Sequence, residues 1–146
     1  MSYWDTSALA KLYVSETDCA AFEAHAANVA QMTVSETGRL ELRTVLRRRD
    51  AEGSLAAGAA KLLHASFCGL ITSGQWVEKV ITPELEAAFY DLLDVCLGHS
   101  PPIFLNTNDG LHLAAAKRAG ETEIVSTDKG LRKAALHAGF MVFPLS

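Results

Sequence analysis

The sequence predicts an α/β fold built around a short parallel sheet, and three observations carry that expectation. Short apolar segments recur along the chain, and most are followed by a helix-forming stretch, the alternation that builds parallel sheets. The strand segments are short and largely apolar, as strands covered on both faces must be. The chain has 146 residues, 49% apolar and 21% charged, which suits one compact domain over residues 1–146 with a core of its own and leaves no room for two.

The elements follow in order. Residues 2–5 (SYWD) form a short strand that ends at an acid, and Thr6, Ser7 and ALAKLYV open a helix that Asp5 or Ser7 can cap. A second helix is expected at 18–28, with Phe22 and Ala26 on one face, and a strand at 29–34 (VAQMTV). Ser35 then caps a long helix at 36–50, given an apolar side by Leu40, Val45 and Leu46. Gly53-Ser54 breaks the chain before a helix at 55–70, and this pair, with no strand between its members, should project as a helical hairpin. A strand at 76–82 (WVEKVIT) precedes a helix at 83–97, where Pro83 sits well in the first turn. After the loop from His99 to Thr107, Asn108-Asp109 opens a helix at 109–119 that Gly120 stops. A strand at 123–126 leads to Thr127-Asp128, a helix at 129–138 ends at Gly139, and a last strand runs 140–143.

Composition narrows the function. No stretch of about 18 uncharged apolar residues is present, so no membrane span is expected. The opening MSYWDTSALAKLY lacks a basic leader and a small-residue cleavage site, which points to the cytoplasm. Cys19, Cys68 and Cys96 are odd in number and far apart. They suit buried free thiols better than a disulfide framework or a zinc site. The net charge of −4 counts against a wholly basic nucleic-acid binder, but not against an enzyme that holds a phosphodiester through metal ions and a local basic patch.

The acids carry the functional expectation. Ligands of open parallel sheets bind outside the carboxyl ends of the strands. Asp5 follows the first strand, Asp128 follows the fourth, Asp109 lies in the first turn of its helix, and Glu41 lies in the helix after the second strand. Each alone has an ordinary explanation, capping for the aspartates and solvation for the glutamate. Capping does not explain why several acids should gather at one sheet edge. Carboxylates a few ångströms apart repel one another and call for a counter-charge, and hard divalent cations take oxygen ligands. A cation so held can lower the pKa of water and neutralise charge on a phosphodiester. Arg39, Arg43 and Arg47, spaced at i, i+4 and i+8, form a basic stripe that is either a solvated face or a contact for RNA phosphates.

With these residues in view, the chain resembles the PIN-domain nucleases, and among them the VapC-type toxins of bacterial toxin–antitoxin pairs. YWDTSALAKLYV is similar to the first motif of that family, SETGRLELR to the second, NDGLHLAAAKRAG to the third and IVSTDKGLRKAALHAGF to the fourth. Together the four span nearly the whole chain. The resemblance implies a three-layer α/β/α sandwich and a ribonuclease dependent on Mg²⁺ or Mn²⁺, with Asp5 and Asp109 as primary metal ligands and Asp128 as a ligand or water-mediated partner. Glu41 would bind metal or orient the attacking water, in preference to Glu36 in the same segment. Ser7 and Thr127 would support the acids from outside the ligand set or cap their helices. The resemblance further implies an RNA substrate, a cognate antitoxin and a homodimer. A PIN-fold nuclease for RNA maturation without an antitoxin, and a non-catalytic binding module of the same fold, are the alternatives.

Overall fold

The computed structural model describes residues 1–145; Ser146, the last residue of the expected domain, lies outside the described residues. The elements are β1 (Ser2–Trp4), α1 (Thr6–Ala10), α2 (Cys19–Ala27), β2 (Met32–Ser35), α3 (Glu36–Ala51), α4 (Ala59–Thr72), β3 (Trp76–Lys79), α5 (Pro83–Leu97), α6 (Thr107–Arg118), β4 (Glu123–Val125), α7 (Lys129–His137) and β5 (Met141–Phe143). The strands pair in parallel in the order β3-β2-β1-β4-β5. The chain therefore moves outward from β1 through β2 to β3, then returns to the other flank of β1 with β4 and β5. That reversal opens a crevice between the carboxyl ends of β1 and β4, the place where open parallel sheets receive ligands.

Successive side chains of a strand point to opposite faces, and both faces are covered, as the apolar strands predict. Tyr3, Ile124 and Val142 go to one side and pack with Leu85 and Leu92 of α5, Leu113 of α6 and Leu131 of α7. Trp4, Met32, Val34 and Val125 go to the other, where Leu9, Phe22, Leu42, Leu46 and Phe67 from α1 to α4 close the layer. Trp4 meets Phe22 and Trp76 edge-on, so both tryptophans are core residues. The result is the expected three-layer sandwich.

Several boundaries differ from the sequence expectation for local reasons. The β2–β3 ladder holds only from Met32↔Trp76 to Ser35↔Lys79, so residues 29–31 and 80–82 fall outside the sheet. Helix α4 begins at Ala59 rather than 55 because Gly58, at φ +80°, turns the chain through the left-handed region. Helix α6 begins two residues early, because the side chain of Asn106, not Asn108, caps it. The inner face of the α3–α4 hairpin is packed into the core through Leu42, Leu46, Ala60 and Phe67, so only its outer face projects. Leu40, expected on the apolar side, is on that outer face, and Leu42 takes the buried place. The three cysteines are free, but only Cys96 is buried; Cys19 and Cys68 are half-buried.

One close approach fixes the helix that bears Asp109. Gly110 lies so near α5 that a Cβ there would sit 2.4 Å from Phe89 Cε1. Gly110→Ala is expected to destabilise the fold by about 1–3 kcal/mol through overpacking. A chemical denaturation series checks this; an unchanged midpoint would show that the α5–α6 seam is slack.

Candidate active site

Asp5 is the floor of the crevice. Its N–H bonds Val125 O at 3.1 Å, so its backbone continues the β1–β4 ladder by one rung, and its extended conformation leads directly into α1. Asp5 Oδ1 caps that helix by accepting the Ala8 N–H at 2.9 Å. Ser7 Oγ donates to Oδ1 at 2.7 Å and Ser126 Oγ donates to Oδ2 at 2.6 Å. The side chain is nearly sealed, the residue being 4% exposed. Burial pushes its carboxyl above the ordinary range, while His112 and the bonds from Ser126, Ala8 and Ser7 pull the other way.

The same two hydroxyls join the loop after β4 to Asp5. The Asp128 N–H donates to Ser126 Oγ and the Thr127 N–H to Ser7 Oγ, both at 3.0 Å. Asp128 caps α7, its Oδ1 accepting the Leu131 N–H at 2.9 Å. Capping and site placement thus coincide at Asp5 and Asp128, and one does not argue against the other. Thr127 is exposed at the rim and contributes its backbone N–H.

Glu41 approaches from α3. Its Oε1 accepts from Thr6 Oγ1 at 3.0 Å and is bonded to His112 Nε2 at 2.8 Å. Burial would raise this carboxyl, but the hydrogen bonds from His112 and Thr6 outweigh it and hold the group below its ordinary value. Glu36 is placed elsewhere: its Oε1 accepts the Ile81 N–H at 2.5 Å and ties α3 to the segment after β3.

Asp109 does not cap its helix; Asn106 Oδ1 accepts the Asp109 N–H at 2.8 Å and fills that role. The Asp109 carboxylate accepts no hydrogen bond among the described residues and is half-buried. Its pKa is pushed up to about 6, first by burial, then by the charge of Asp128, with Asp5 and Glu41 adding and His112 opposing. All three other acids act on it.

Among the described residues, no group of three or more Asp, Glu, His or Cys side chains is placed closely enough to hold a metal ion as it stands. The donor set nonetheless fits a hard cation. It is all oxygen, it is electrically unbalanced, and oxygens remain without a hydrogen bond on Asp109, on Asp128 (Oδ2) and on Glu41 (Oε2). The oxygens of Asp5 are already engaged by Ser7, Ser126 and Ala8.

The expected arginine stripe divides. Arg39 forms an ion pair with Glu78. Arg43 and Arg47 border a groove with Asp50, Gly58 and Lys61 at the start of α4. A different pair of cations stands beside the acids, where Lys11 and Arg49 line a cleft with Thr6, Ser7 and Thr127. Both are tied to Glu16. Ser126, Thr6 and Tyr3 were not among the expected site residues. Ser126 stands two residues before Asp128 as Ser7 stands two after Asp5, a hydroxyl–acid spacing that could have singled it out.

The family model for the PIN domain matches residues 2–136. No curated protein matches the chain in sequence. Among solved structures, the chain is similar to VapC20 of Mycobacterium tuberculosis, a toxin that cleaves the sarcin–ricin loop, at TM-score 0.70 and 20% identity over 97% of each chain. It is also similar to FitAcB of Neisseria gonorrhoeae, at TM-score 0.67 and 15% identity over 99% of this chain and 98% of that one. A toxin–antitoxin complex from Klebsiella pneumoniae gives TM-score 0.64 and 13% identity over 100% and 98%. At such identities the likeness speaks for the fold.

Proposed function

Because the chain belongs to the PIN domain family, we propose that it is a ribonuclease that hydrolyses phosphodiester bonds at the cleft of Asp5, Glu41, Asp109 and Asp128, with Mg²⁺ or Mn²⁺, and that it is the toxin of a toxin–antitoxin pair. One observation carries the proposal: Ser7 and Ser126 tie Asp5 to the turn that bears Asp128 at the sheet's topological switch point, and burial first, then the charges of Asp128, Asp5 and Glu41, raise Asp109 to about 6. A cluster so unbalanced is costly to a fold, and a cation-dependent site gives it a purpose.

Asp109, Asp128 and Glu41 would hold the ion through their unbonded oxygens, with Asp5 joining when one of its hydroxyl donors turns away. When bound, the ion neutralises charge on a phosphodiester and lowers the pKa of water. Glu41, held ionised, accepts a hydrogen bond from the attacking water and orients it. Ser7 and Ser126 keep Asp5 fixed against the Asp128 turn. Lys11 and Arg49, released from Glu16 and, for Lys11, Asp18, would take a flanking phosphate, which positions the strand without reading its sequence.

For the partner, support comes from the toxin–antitoxin complex among the similar folds and from the outer face of the α3–α4 hairpin. There Leu40 and Leu62 are 57% and 73% exposed, and Gly69 opens onto empty space. Such a face suits an amphipathic helix of an antitoxin. Among the described residues, no helix is long and apolar enough to cross a membrane.

The deciding experiment incubates purified protein with total RNA in Mg²⁺, in Mn²⁺ and in EDTA. Discrete cleavage that needs a divalent ion is expected. RNA left intact under all three conditions, with the protein folded, would remove the ribonuclease assignment. Growth arrest on expression, relieved by the product of an adjacent small reading frame, is the expected sign of the toxin role.

A further inference from the structure

His112 is buried, 3% exposed, and stands between two groups far away in sequence. Its Nδ1 lies 2.6 Å from the Tyr3 hydroxyl and its Nε2 lies 2.8 Å from Glu41 Oε1. We propose that His112 is a positioning residue for Glu41, held in its Nε2–H tautomer by the buried phenol of Tyr3, so that Glu41 presents a single oxygen to the cleft. This rests on the assignment of Glu41 to the nuclease site.

The two ends of the line suit one tautomer. The Tyr3 side chain is wholly buried, with Ser35 and His112 Nδ1 as its polar neighbours; with the hydrogen on Nε2, Nδ1 at 2.6 Å is the acceptor that a buried hydroxyl needs. Burial pushes the phenol pKa upward, so it keeps the proton it donates. An ionised Glu41 can only accept, so Nε2 must carry the hydrogen. The imidazole thereby passes a donor from the core to the rim.

The packing fixes the ring as well. The Tyr3 and His112 rings meet edge-on at 5.8 Å and 65°, and a Cβ at Gly38 would lie 3.5 Å from His112 Cε1, so the ring has a close neighbour across α3. The consequence falls on Glu41. Thr6 and His112 both act on Oε1, which occupies its lone pairs. Oε2 accepts no hydrogen bond among the described residues and is the oxygen left for water or cation. Without the Nε2–H, the carboxylate could rotate and offer either oxygen. A positioning residue need not touch the substrate; orientation of a neighbour suffices, and misplacement by an ångström costs about a hundredfold in rate.

A packing role and a donor role are separable by choice of amide. A glutamine side chain puts an N–H where Nε2 stands, whereas asparagine puts one where Nδ1 stands. We expect His112→Asn to lower kcat for RNA cleavage by about a hundredfold with KM little changed, and His112→Gln to recover to within about tenfold of wild type. Tyr3→Phe, the gentler change should either His112 variant fail to fold, is expected to lower kcat by about tenfold. A long-range ¹⁵N–¹H imidazole spectrum should show His112 as the single Nε2–H tautomer in the wild type and as a mixture in Tyr3→Phe. Equal activity of the Gln and Asn variants, or an Nδ1–H or doubly protonated His112 in the wild type, would overturn the proposal. The spectrum reads the tautomer even if the wild type cuts no RNA, so failure of the nuclease assignment and failure of the His112 role are told apart.

Discussion

Asp5→Asn should remove RNA cleavage while leaving the protein folded and at least as stable. The two halves of that expectation come from the same burial. The wild-type carboxylate is nearly sealed from water and its pKa is displaced upward, so the fold gains by making it neutral. Asparagine keeps one oxygen to cap the Ala8 N–H. Its amide can donate to Ser7 or Ser126, whose hydroxyls turn to accept. What vanishes is the charge at the floor of the cleft. A divalent cation contributes several kcal/mol by neutralising charge in the transition state, and a site that lacks this carboxylate's charge should lower the rate by about a thousandfold or more. Asp5→Ala is a harsher control. It deletes the cap of α1, worth about 1 kcal/mol, and leaves Ser7, Ser126 and the Ala8 N–H without their acceptor. Cleavage assays beside thermal melts check both halves. An Asp5→Asn protein that cuts RNA at the wild-type rate would take the catalytic assignment away from this residue.

Much of this site is legible before the fold is known. Asp5 and Asp128 each follow a strand and precede a helix, and a parallel sheet brings such positions to one edge. Asp109 and Glu41 are helix residues whose meaning depends on how α6 and α3 pack, which periodicity does not specify. The family motifs supplied them instead. The strand ends were harder, because ladders of three or four residues stop where the partner stops, not where the apolar run does. Val80 and Ile81 look like strand residues, yet they lie beyond Lys79, the last residue paired with β2. The Tyr3–His112–Glu41 line was illegible for a similar reason. Its members are 109 and 71 residues apart, and an isolated histidine on an apolar helix face has the look of core. The basic stripe misled because helical spacing gives a face but not what the face meets. Arg39 meets Glu78, while the cations beside the acids, Lys11 and Arg49, lie on different helical and turn segments.

Asp109→Asn should likewise remove cleavage, but its distinctive signature is a gain of stability in the metal-free protein that depends on pH. The folded carboxyl has a pKa of about 6 against an ordinary 3.8. Between those two values the folded state binds more protons than the unfolded chain, so stability falls as pH rises through that window. Above it the penalty is fully present, and below it the penalty is gone. Taken at face value the shift corresponds to about 3 kcal/mol, but the side chain is half in solvent, and screening reduces a realistic figure to about 1 kcal/mol. Asparagine removes the penalty, so the variant should melt about 2–4 °C above the wild type at about pH 7.5. At about pH 5 the gap should narrow, since the penalty on wild-type Asp109 shrinks as pH falls through that window. Mn²⁺ should reverse the ranking, because an ion bound only to the folded wild type stabilises it by mass action and the variant binds it less well. Thermal melts at both pH values, with and without Mn²⁺, test all of this together. A variant that melts below the wild type at the higher pH without metal would mean that Asp109 is not crowded by the other acids. The cleft would then lose the charge imbalance from which its need for a cation is deduced.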